Sequence, residues 1–94
     1  MKRFTVYRRK LSSTDTRGHY HPNGDNIAQF EGVVWTDGTV SVRWLTTPAS
    51  WSNWNTVTDM LNVHGHPEYG TEVIWLDGIP EDCKNLKQII QKEI

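Results

Sequence analysis

Four histidines stand in two His-x-His pairs, His19-Tyr20-His21 and His64-Gly65-His66, a spacing that can serve a metal ion. On extended backbone, residues i and i+2 point to one face. Either pair would then offer two imidazoles to Zn²⁺ or Ni²⁺, with Asp15, Asp25 or Glu68 as further ligands. The competing reading is structural. His64 closes an apolar helical stripe at a helix C-terminus, which favours the charged imidazole, and His66 before Pro67 shapes a loop. The structural reading is preferred, no cofactor is expected, and a metal site at His19, His21, His64 and His66 is the third function reading.

The single cysteine, Cys83, excludes an internal disulfide and a cysteine-rich zinc knuckle. It falls near a predicted helix N-terminus, where a thiol can be activated, but it lies on that helix's apolar stripe with Leu86 and Ile90 and reads as core. Neither a nucleophile elbow nor a phosphate-cradling glycine loop is present, so no catalytic residue is assigned and an enzyme is not expected.

Charge is uneven. Residues 1–20 carry Lys2, Arg3, Arg8, Arg9, Lys10 and Arg17 against Asp15, a balance of +5, whereas residues 21–94 carry four basic and ten acidic residues, −6. Arg8, Arg9, Lys10 and Arg17, with Tyr7 and Tyr20 for stacking, form a candidate nucleic-acid strip. The acidic remainder opposes it, and the hairpin tryptophans are assigned to the core. A protein-binding reading rests on aromatic excess: five Trp in 94 residues are more than so small a core must absorb. Trp and Arg are common interface anchors, and Trp51, Trp54 and Arg43 are the candidates.

The elements that must position these residues follow from periodicity. Phe4 to Arg9 alternates as a first strand. Residues 12–26 are polar and turn-rich. Residues 27–36 and 39–46 read as a hairpin closed by Asp37-Gly38 in a two-residue type I′ turn. Its register sets Trp35 opposite Val40, Val33 opposite Val42 and Glu31 opposite Trp44, so that Trp35, Val33, Val40, Val42 and Trp44 share one face. Asn55 is the expected N-cap of a helix over 56–64, whose stripe is Val57, Met60, Leu61 and His64, with Gly65 as a left-handed C-cap. Residues 71–76 read as a strand. Pro80 starts a C-terminal helix with Cys83, Leu86, Ile89 and Ile90 on its apolar side. The order β-β-β-α-β-α implies one small α+β domain, 1–94: a four-stranded antiparallel sheet, one packed helix, and a C-terminal helix able to dock or to form a homodimer.

Residues 34–45, Trp54, the Val63-His-Gly-His66 run and Val73-Ile-Trp-Leu-Asp77 together resemble a family of small proteins from actinobacteria and their phages. The shared pattern is approximately DGTV-x-x-RW, then W-[DN]-[ST], then HGH and W-L-D, over roughly residues 30–77. The resemblance implies a phage accessory gene or a small bacterial domain, products that often bind a host protein. Asn55 stands where Asp is common. The N-terminus has no apolar signal core, and no run approaches the ~20 apolar residues of a membrane span, so a cytoplasmic protein with no membrane partner is expected. The function reading is a non-enzymatic protein-binding module acting on a host or bacterial protein, with nucleic-acid binding as the alternative.

Overall fold

A computed structural model describes residues 1–11 and 23–94. Among these residues six strands form one sheet: β1 (Lys2–Arg8), β2 (Phe30–Val34), β3 (Val40–Trp44), β4 (Ser50–Trp54), β5 (Thr71–Trp75) and β6 (Ile90–Glu93), in the order β4-β3-β2-β1-β5-β6. All neighbouring pairs are antiparallel except β5 and β6, which run parallel. One α-helix, α1 (Val57–His64), follows β4, and 3₁₀ turns occupy Pro67–Tyr69 and Glu81–Cys83. The expected four-stranded antiparallel sheet with two helices is therefore corrected, over the described residues, to a six-stranded mixed sheet with one short α-helix. Among the described residues no helix is long and apolar enough to cross a membrane.

The sheet has one covered face. Phe4 and Val6 of β1, Phe30 and Val34 of β2, Val40 and Val42 of β3, and Val73 and Trp75 of β5 all turn toward α1, whose Val57, Met60 and Leu61 are buried against them. Cys83, Leu86 and Ile89 close the same layer. Burying apolar side chains of this size stabilises by roughly 1.5–3 kcal/mol each, so this layer holds the fold. Thr56 caps α1, its Oγ1 accepting from the Asp59 backbone N–H at 3.0 Å. The cap is thus one residue later than Asn55. Gly65 has right-handed φ −70°, and the left-handed residue is His66 at φ +36°.

The hairpin register differs from expectation by one residue. Val34 pairs with Val40, Gly32 with Val42 and Phe30 with Trp44. The loop is three residues, not two. Trp35 N–H donates to Thr39 O (2.8 Å), Gly38 N–H donates to Trp35 O (3.0 Å), and Gly38 takes φ +89°, a type I turn followed by a left-handed glycine. Asp37 enforces it, its Oδ1 accepting from both the backbone N–H (2.9 Å) and hydroxyl (2.6 Å) of Thr39. Packing selects the same register. Gly32 faces the core under Phe4, and a Cβ there would lie 2.5 Å from Phe4 Cζ. A one-residue slip exchanges the faces of a strand, so Trp35 and Val33 leave the core side and Phe30 and Val34 take their places.

The C-terminal helix is likewise replaced. Cys83, Leu86 and Ile89 do reach the core, but through turns, while Ile90 is half exposed. Trp75 Nε1–H donates to Gln91 Oε1 (2.9 Å), and Gln91 Nε2 donates to the carbonyl of Cys83 (2.7 Å). These bonds tie the segment along β5, whose edge would otherwise expose a row of unpaired backbone groups. The helix on which a homodimer was expected is thus a parallel edge strand.

Candidate binding face

Among the described residues the other face of the sheet carries no helix, and strand alternation decides which of their side chains it displays. One row runs across all six strands: Trp51, Arg43, Glu31, Thr5, Ile74, Lys92. Trp51 is 68% exposed and lies beside its cross-strand partner Arg43, whose guanidinium carbon is 5.7 Å from an indole centroid. Arg43 in turn reaches Glu31 at 3.5 Å, both side chains being about half exposed. In a neighbouring row Trp35 Nε1–H donates to Ser41 Oγ (2.8 Å), whose hydroxyl donates to Asn53 Oδ1 (2.9 Å). This chain holds the 44%-exposed Trp35 indole across β3 toward β4. A groove of about 440 Å³ lies over the strands, bounded by Trp51 and Arg43, with Arg3 and Leu76 also among its lining residues.

Electrostatics on this face are balanced pair by pair. Arg3 meets Asp77 in a two-pronged contact, Nε to Oδ2 and Nη2 to Oδ1, each 2.9 Å. Hydrogen bonds from the Arg3 side chain and backbone hold the Asp77 carboxyl well below the usual carboxylate range. Glu72 sits between Arg9 (3.1 Å) and Lys92 (3.0 Å). Burial pushes its carboxyl up, but the hydrogen bonds and charges of Lys92 and Arg9 outweigh this and leave it below the usual range. Arg9 also stacks on Tyr7, 3.9 Å from the ring centroid.

The remaining candidates lie elsewhere. Arg8 turns to the covered face, between Trp44 (5.7 Å) and Tyr69 (5.5 Å), and donates to the His64 carbonyl at 3.1 Å. Arg8 and Arg9 therefore point to opposite faces and do not form a continuous strip. Lys10 donates its backbone N–H to Tyr69 O and lies over Gly70. Arg17, His19 and His21 lie outside the described residues. Trp54, three residues after Trp51, is also on the covered side. The His64 ring packs edge-on against it and against Trp44, with centroids 5.3 and 4.8 Å apart. Burial, then the charges of Arg8 and His66, push the His64 imidazole below its ordinary pKa. His66 places Nδ1 2.9 Å from Glu68 Oε1 and stacks on Tyr69. Among the described residues no group of three or more His, Cys, Asp or Glu side chains is arranged to hold a metal ion. Burial and Asp82 push the Cys83 thiol up to about 12, so the thiolate that nucleophilic chemistry needs is suppressed.

Of the predicted trio, Trp51 and Arg43 come together and Trp54 does not join them. Sequence reasoning missed Trp35, assigned to the core with the two-residue turn. A three-residue loop with Gly38 in the left-handed position was the signal that would have placed it. A second cleft, of about 580 Å³, lies between α1 and residues 85–89, lined by Leu61, Asn62, His66, Glu68, Leu86 and Lys87 among others.

Neither a curated protein nor a solved structure matches the chain. A family model does. It covers residues 27–77, more than half of the chain, taking in β2, β3, β4, α1 and β5 and with them Trp35, Arg43 and Trp51. The chain belongs to the Acb5 phage protein family.

Proposed function

We propose that this protein is a non-enzymatic binding module, a phage accessory protein acting in the host cytoplasm on a host protein, and that the face of its sheet opposite α1 makes the contact. The observation that carries the reading is the exposed Trp51 on Arg43, with Trp35 fixed nearby by Ser41 and Asn53. Large rigid side chains that lose little entropy on docking are typical interface hot spots. The charge pattern favours protein over nucleic acid. Arg3, Arg9, Arg43 and Lys92 each have a carboxylate within 4.0 Å, so phosphates would compete with bound carboxylates. The alternative of a basic first strand loses support because Arg8 is 5% exposed.

The test is retention of a host protein by the immobilised chain from a nuclease-treated lysate of the bacterial host. Trp51→Ala and Arg43→Ala should release it while remaining folded. A partner held equally well by both variants would overturn the assignment of this face. Recovery that vanishes with nuclease and falls steeply with salt would move nucleic acid to first place.

A further inference from the structure

The two edges of the sheet are built differently. β6 is four residues long, carries Lys92 and Glu93, and has its side chains tied back: Lys92 to Glu72, and Glu93 to the Ile79 N–H at 2.8 Å. Charges and short length are the usual protection of an exposed strand edge. β4, Ser50-Trp-Ser-Asn-Trp54, has neither charge nor proline. Among the described residues its only strand neighbour is β3, so no described strand pairs with the backbone donors and acceptors along its outer edge.

The residue pattern of β4 identifies what fits it. We propose that β4 pairs antiparallel with β4 of a second copy, across a two-fold axis through Ser52, giving one continuous twelve-stranded sheet. A two-fold axis normal to the sheet keeps the helix-covered faces together, which restricts pairing to registers that match even with even positions. Only one such register pairs all five residues. It sets Trp51 against Asn53 of the second copy, Ser50 against Trp54, and Ser52 against Ser52. Every indole then meets a short side chain, no two indoles stand directly opposite, and no charges face each other. Cross-strand pairs are the unit of sheet stabilisation, and this strand is complementary to its own reverse in size and in charge. The two Trp51 side chains come diagonal to each other beside the axis, and the open faces of both copies merge.

The proposal is independent of the host-partner reading, and its test needs only the purified chain. Sedimentation equilibrium from about 1 µM to about 300 µM should show a reversible shift from one chain mass to two. Ser52→Lys sets two ammonium groups opposite each other and should hold the protein monomeric, with an unchanged circular-dichroism spectrum as the folding control. Register is tested by a short bis-maleimide reagent. Ser52→Cys should cross-link to a dimer, whereas Ser50→Cys should not, its copies lying roughly 14 Å apart at about 3.4 Å per residue. The native Cys83 is 1% exposed and stays out of the reaction. A protein monomeric throughout this range overturns the proposal, and so does a dimer in which Ser50→Cys cross-links and Ser52→Cys does not.

Discussion

The two faces of this sheet are made by the same strands with opposite rules. On the covered face Phe4, Val6, Phe30, Val40, Val42, Val73 and Trp75 are all 1% exposed or less, packed under a single helix and a turn-rich C-terminal segment. On the open face the side chains are more exposed, and the described contacts include hydrogen bonds, ion pairs and a cation–π pair. The first arrangement is close-packed, and its cost of alteration is a cavity. The second is held at the surface, where exposed ion pairs contribute little. The comparison teaches that the stability lies in the covered face, while the open face, where recognition is proposed, contributes little to it, so substitutions one residue apart on a strand should have unlike consequences.

The largest effect is expected at the centre of the covered face. Phe4 is fully buried, with its ring 5.2 Å from Trp75 and its edge filling the space over Gly32. Phe4→Ala should destabilise by about 3–5 kcal/mol, the range for truncating a buried aromatic, measured by urea denaturation. A loss under about 1 kcal/mol would mean that the two faces are not divided as described. Trp54→Ala should come next. The side chain is half-buried on the covered side, packed on His64 and bonded to Ser52 Oγ at 3.0 Å, so a loss of about 1–3 kcal/mol is expected. Trp51→Ala, three residues earlier on the same strand, provides the contrast.

A pH series sharpens the boundary of the covered face. His64 lies half-buried against Trp44 and Trp54, its imidazole held below its ordinary pKa chiefly by burial. The folded chain therefore binds this proton less readily than the unfolded chain. The associated stability is present above about pH 6.5, the ordinary histidine value, and is lost as pH falls through the lower folded pKa. The melting temperature should drop as pH is lowered from neutral toward 5, and His64→Gln should flatten that slope. The depressed carboxyls of Asp77 and Glu72 act in the same direction but only at more acidic pH, below the ordinary carboxylate values. An identical pH dependence in His64→Gln would remove His64 as the source.

What was legible in the sequence follows the same division. β1, α1 and β5 were readable because their apolar residues repeat at the period of the element: Phe4 and Val6 at two, Val57, Met60 and Leu61 at three and four. The hairpin was readable as a hairpin but not in register. The deciding facts are Asp37 binding Thr39 and Phe4 occupying the space over Gly32, one a choice between two turns that Asp-Gly permits, the other a contact between distant residues. The C-terminal stripe Cys83, Leu86, Ile89 was correct as a burial pattern and wrong as a helix. Helical spacing does not distinguish a helix from turns that touch the core at the same intervals, and Gln91 bonding to Trp75 is again non-local. At the site, residue type alone singles out Arg43 and Trp51, and the pairing of β3 with β4 makes them neighbours. Trp54 does not share a face with Trp51, because an odd separation on a strand sends two side chains to opposite faces.

The smallest effect on stability is expected where the largest effect on binding is proposed. Trp51 loses nothing from the core when truncated, because its indole is 68% exposed and its one described ring contact is to Arg43. Trp51→Ala should leave unfolding within about 0.5 kcal/mol of the parent while weakening partner capture by at least tenfold, the loss expected of a hot-spot indole. Trp35→Ala removes a side chain bonded to Ser41, so its stability cost should be slightly larger and its binding loss separable in a double-mutant cycle. If the two open-face tryptophans act on one partner surface, their binding losses will be non-additive. If they add, Trp35 and Trp51 meet separate parts of the partner. Should Trp51→Ala unfold the domain as readily as Trp54→Ala, the open face would be part of the core and the division between the faces would fail.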